Sequence, residues 1–125
     1  MNFRIWDIIQ RKMLGWRDVM TLPAWEILPG TPEQRAYNVM CSTGKSDMKG
    51  IEIFEGDIIE NPNGIRMKIR FGTYQAFCPA DKQYMDNVGF YAEAPGLPQM
   101  PIGPLEDYAT VIGNIYETPE LMGDQ

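Results

Sequence analysis

Apolar residues come in short runs that alternate with polar ones and are punctuated by Gly, Pro and Asn, a pattern that predicts many short strands and few helices. Phe3 and Ile5 alternate with Arg4, and Met13-Leu14-Gly15-Trp16 is a second apolar stretch, so a hairpin turning near residues 10–12 is one reading. Trp6, Ile9, Met13, Trp16 and Met20 also fall at steps of three and four, the stripe of an amphipathic helix. Periodicity therefore leaves residues 1–20 open between hairpin and helix.

Pro23, Pro29, Gly30 and Pro32 interrupt the next segment, and Thr31-Pro32-Glu33-Gln34 has the form of a capping box that starts a short helical turn. Residues 36–43 read as a strand ended by turn chemistry at Gly44-Lys45-Ser46-Asp47. Ile51-Glu52-Ile53 alternates, but Ile58-Ile59 breaks the phase, which predicts a bulge or tight turn at Glu55-Gly56-Asp57 with Asp57 capping it. Residues 57–60 and 65–71, joined by Asn61-Pro62-Asn63-Gly64, form the clearest hairpin signal. In its second arm Ile65, Met67, Ile69 and Phe71 take one face and Arg66, Lys68 and Arg70 the other. Residues 74–77 and 87–92 are further strand candidates separated by a polar stretch at 80–86, residues 93–104 are loop, and Val111 to Tyr116 is a closing strand followed by a turn at Thr118-Pro119.

Three segments in order carry a resemblance: Phe3-Arg4-Ile5-Trp6-Asp7; Thr43-Gly44-Lys45 through Gly50-Ile51-Glu52-Ile53-Phe54-Glu55-Gly56-Asp57-Ile58; and Val111-Ile112-Gly113-Asn114-Ile115-Tyr116-Glu117 through Pro119-Glu120-Leu121. Together they resemble the YopX family of phage and prophage proteins. The resemblance implies a single mainly β domain over residues 1–125, small and barrel-like or built of curled antiparallel sheets, with one or two short helical turns. It also implies a bacteriophage or prophage origin and a place in the host cell. It implies no activity, since the family brings no catalytic or binding residues to transfer. The apolar Ile8-Ile9, where the family has a polar turn, and the Pro-rich stretch at 93–104 depart from its pattern.

Composition narrows the chemistry. The 125 residues hold no histidine, which removes the usual base of Ser and Cys nucleophile systems, so no catalytic residues are expected. Cys41 and Cys78 without imidazoles or close spacing do not make a zinc site; free thiols are expected, with a disulfide as the alternative. No cofactor is implied. No apolar run is long enough to span a membrane, and the first residues lack the order of a secretory signal, which points to the cytoplasm. The net charge of −6 lies in the second part of the chain: residues 1–80 carry ten Lys or Arg against nine Asp or Glu, residues 81–125 one against eight. A two-signed surface follows if the fold keeps the two parts apart.

Two binding readings result. A protein-interaction module, self-associating or holding another protein through an exposed strand or aromatic patch, fits the acidic charge and the lack of a catalytic set. A single-stranded nucleic-acid binder would use Arg66, Lys68 and Arg70 as a cationic row with Phe71, Tyr74 and Phe77 as stacking platforms. Three cations give a salt slope of only about −2. Glu52, Glu55, Asp57 and Glu60 would have to converge to hold a metal or share a proton, and in extended backbone Glu52 and Glu55 point apart.

Overall fold

The computed structural model describes residues 2–21, 37–103 and 105–122. At the start of the chain the hairpin prevails over the helix: β1 (Phe3–Asp7) and β2 (Lys12–Leu14) pair antiparallel with Ile5 opposite Leu14. The turn comes earlier than the polar residues suggest. Buried Asp7 accepts the N–H groups of Ile9 and Gln10 on Oδ1 at 3.0 and 2.9 Å, and Arg11 completes the reversal at φ 55°. One carboxylate at the strand end supplies the turn chemistry, and Ile8 and Ile9 are left at its exposed tip. A single helical turn, α1 (Trp16–Val19), follows. The capping box at residues 31–34 lies outside the described residues.

β3 (Tyr37–Ser46) is longer than expected. It pairs with β1 from Tyr37 to Cys41 and then with β4 (Glu52–Phe54) through Ser42 and Ser46. The turn expected at 44–47 moves on to 47–50, because Asp47 organises it, accepting from Lys49 and Ile51 N–H at 2.8 and 2.9 Å. These strands form the first sheet, in the order β2-β1-β3-β4. Glu55 and Gly56 carry the chain into the second sheet, made of β5 (Asp57–Glu60), β6 (Arg66–Cys78), β7 (Gln83–Glu93), β8 (Met100–Pro101) and β9 (Thr110–Asn114) in the order β8-β7-β6-β5-β9. All these neighbouring strands run antiparallel, so the protein is mainly β, two curled sheets with only lone helical turns among the described residues.

Residues 66–93 differ most from expectation. What reads as three strands is one long hairpin, β6 paired with β7 from Lys68 opposite Glu93 to Cys78 opposite Gln83. Gly72 looks like a break in sequence, whereas Gly89 falls inside an expected strand. In the fold they face each other at φ 152° and 154°, so both strands stay extended through a conformation that side chains other than glycine avoid. The loop at 93–104 also contributes the two-residue β8 against Tyr91 and Ala92.

The core lies between the sheets. Ile53 of the first sheet packs with Ile59, Met67, Ile69 and Ala92 of the second, closed by Ala94, Leu105 and Ala109, with Phe90, Ile102, Tyr108 and Val111 against it. Each fully buried Ile contributes about 1.5–3 kcal/mol. Ile58 and Ile59 are both buried, so β5 is covered on both faces, which explains the lost alternation.

Candidate functional site

The segments carrying the family resemblance meet where the sheets join. Gly56 turns at φ 91°, donates its N–H to Ile69 at 2.7 Å and accepts from Ile115 at 2.9 Å, tying β4 to β6 and β9. A side chain there would press on Met40 Sδ at 3.2 Å. Asp57, buried at the start of β5, accepts from Arg4 of β1 at 2.5 Å and from the Phe54 N–H at 2.8 Å, while the Arg4 guanidinium lies 4.7 Å from the centre of the Phe54 ring. Burial pushes the Asp57 carboxyl above the usual range, and Arg4 and the Phe54 N–H pull it only part of the way back. Trp6 stacks on Tyr116 with ring centres 5.7 Å apart. In the closing segment, Asn114 Oδ1 accepts the N–H groups of Tyr116 and Glu117, and its Nδ2 donates to Glu117 at 2.7 Å. Every motif group traced here has a structural partner.

The motif carboxylates do not converge. Glu52 accepts from Asn2 and Ser42 at the rim of a cleft of about 320 Å³, Asp57 holds Arg4, and Glu60 holds Arg66. Glu55 is half-buried and pushed up by burial, against a hydrogen bond from the Cys41 backbone and the charge of Arg70. Among the described residues no three His, Cys, Asp or Glu side chains are grouped to hold a metal ion. Cys41 and Cys78 are free thiols, and burial followed by the Glu55 charge pushes Cys41 up.

The basic row lies on the face of β6 opposite Met67 and Ile69, and each member meets a carboxylate. Arg66 is 3.0 Å from Glu60 and also donates to the Leu121 carbonyl; Lys68 is 3.3 Å and Arg70 4.0 Å from Glu93. Burial acts to raise the Glu93 carboxyl, but the Gln99 amide, Lys68 and Arg70 together hold it below the usual range. The fold has therefore interleaved the two parts of the chain: an acid of the second part lies against bases of the first. Tyr74 is buried and stacks on Tyr91 at 4.9 Å, with little of its ring face free, whereas Phe71 is 53% exposed and meets Phe90 edge-on.

What the reading of the sequence missed lies in the distal half of the same hairpin. β5 pairs with β6 only up to Lys68, and β8 pairs with β7 only at Tyr91 and Ala92, so residues 72–89 pair only with each other and form a two-stranded arm. One of its faces presents Thr73 and Val88, then Gln75 and Asp86, then Phe77 and Tyr84, with Phe71 and Phe90 at the base. Val88 is 76% exposed, Tyr84 58% and Phe77 53%. Phe77 and Tyr84 meet edge-on at 5.4 Å, and Gln75 donates to Asp86 at 3.2 Å. The signal was present: folding residues 71–90 about Pro79-Ala80-Asp81-Lys82 aligns aromatics at both ends.

Two curled antiparallel sheets joined by a Gly-Asp turn, with one hairpin prolonged into an exposed arm, define a small β protein whose most unusual surface lies outside its core. The chain belongs to the YopX protein family, whose model matches residues 2–123. It is similar in fold to a solved structure, protein EF1440 from Enterococcus faecalis, at 24% identity and a TM-score of 0.61 over 97% of this chain and 96% of that one. No curated protein matches the sequence. No helix among the described residues is long and apolar enough to cross a membrane.

Proposed function

We propose that this chain is a phage or prophage accessory protein of the bacterial cytoplasm that works by binding protein, without a chemical step, and that the β6–β7 arm is its contact surface. The observation that carries the reading is the apolar face of the arm, where Phe71, Phe77, Tyr84 and Val88 are each more than half exposed. A two-stranded hairpin is marginal in water by itself, and exposed apolar groups gathered on one face and framed by polar residues mark interaction sites. Aromatic rings also supply contact area at low entropic cost. Single-stranded nucleic acid draws less support, because Arg66, Lys68 and Arg70 are already matched to Glu60 and Glu93.

A photo-crosslinking amino acid placed at Phe77, Tyr84 or Val88 in the producing cell is expected to give discrete protein adducts. The same probe at Lys49 or Glu106, exposed on the body, should give none. Adducts that are absent from the arm, or equal from arm and body, count against the reading.

A further inference from the structure

The apolar face of the arm continues the face of β6 and β7 that carries Ile69 and Ala92, and at its base that face is covered by Ile53 of the first sheet. The cover stops there. Farther out, the rows Thr73/Val88, Gln75/Asp86 and Phe77/Tyr84 are all exposed. Accepting the arm as the contact surface, we infer that its occupant is a second copy of this chain. Two arms stack face to face and antiparallel about a two-fold axis that crosses them between the Thr73/Val88 and Gln75/Asp86 rows.

The order of rows is self-complementary in this arrangement. Aromatic pairs close both ends of the face, Phe71/Phe90 and Phe77/Tyr84, about 20 Å apart at the strand rise. An antiparallel copy sets Phe71 over the partner's Phe77 and Phe90 over the partner's Tyr84, aromatic on aromatic at each end. Thr73 and Val88 then lie over the partner's Gln75 and Asp86. The parallel alternative is closed by topology: the first sheet stands over the same face at the base of the arm, so two arms pointing the same way would drive the two bodies into each other.

Charge and area agree with this choice. The chain carries −6, but residues 71–90 hold only Asp81, Lys82 and Asp86, so the surface in contact is nearly neutral. The antiparallel register also keeps the two Asp86 carboxylates from facing one another. With about 150–250 Å² per aromatic and roughly half of that exposed, the three rings and Val88 offer about 400 Å² per copy. The polar members of the rows bring the total for two copies to about 1,200 Å², the lower edge of specific interfaces.

Sedimentation equilibrium of the intact chain, from about 1 to 100 µM to span the micromolar Kd of small interfaces, is expected to show a dimer. Val88→Glu sets a carboxylate over the partner's Asp86 and should raise the dimer Kd at least tenfold. Val88→Lys faces the same Asp86 with a cation and should keep the dimer, as should Met85→Gln on the opposite face; circular dichroism confirms that each variant is folded. A monomer at all concentrations, a dimer indifferent to Val88→Glu, or equal loss in Val88→Glu and Val88→Lys overturns the arrangement. A monomer whose arm still crosslinks to another protein overturns this inference and leaves the protein-binding reading intact; a monomer without arm-specific adducts ends both.

Discussion

At Gly113 a single added carbon would lie 2.0 Å from Thr118 Oγ1 and 2.7 Å from Leu121 Cδ1, because the chain doubles back there and Thr118 hydrogen-bonds to Asn114 from both its N–H and its hydroxyl. Gly113→Ala is expected to cost about 2–3 kcal/mol by overpacking, seen as a lower midpoint in urea unfolding. Asp57 illustrates a different cost. Removing it strands Arg4, whose Nε already lacks a partner, and leaves the Phe54 N–H without its acceptor. Asp57→Ala should therefore lose about 3 kcal/mol. Asp47 has the opposite electrostatic sense. Burial acts to raise its carboxyl, but N–H bonds from Val111, Ile51 and Lys49 outweigh it and hold the group below the usual range. Its folded pKa being depressed, its stabilisation is complete above the ordinary Asp value and is lost as pH falls through the folded one. Asp57, raised in the fold, contributes in the reverse sense, with stability present below its unfolded pKa and lost as pH rises through the folded value. Unfolding measured at neutral pH and near pH 3 should show the penalty of Asp47→Asn shrinking in acid.

Among the elements, the hairpin of β5 with the start of β6 was legible because alternation and an Asn-Gly loop coincide there. The Asn61 side chain indeed accepts from Asn63 and Ile65, as the loop chemistry implies. The continuation of β6 through Gly72 was not legible, since a lone glycine in a strand reads as an interruption until its partner across the ladder is known. An added Cβ would meet nothing within 4 Å at Gly72 or Gly89, so the constraint there is backbone conformation and not space. Gly72→Val should cost about 1–3 kcal/mol through strain alone, read as a lower unfolding midpoint. Phe77→Ser with Tyr84→Ser removes exposed rings and is expected to change stability by about 1 kcal/mol or less while abolishing arm-specific adducts. Of the candidate site, the basic row was correctly placed on a face of its own by period-two alternation. Its neutralisation by Glu60 and Glu93 is a cross-strand fact, and Glu93 lies in what the sequence presents as the edge of a loop.

For the molecule as a whole, the net charge of −6 and the paired row make a surface that should repel polyanions. Glu93→Gln removes the carboxylate that Lys68 and Arg70 share, so the variant should be retained longer on a heparin column than the unaltered protein, and the difference should vanish at high salt. The positions that hold the two sheets together, Gly56, Asp57, Gly113 and Asn114, fall inside the three segments that carry the resemblance read from the sequence, while the exposed rows of the arm fall outside those segments. Those segments are thus a record of carpentry: they fix how the two sheets are joined and leave the ribbon unspecified. Trimming that ribbon would leave the joint, and the letters that carry the resemblance, as they are.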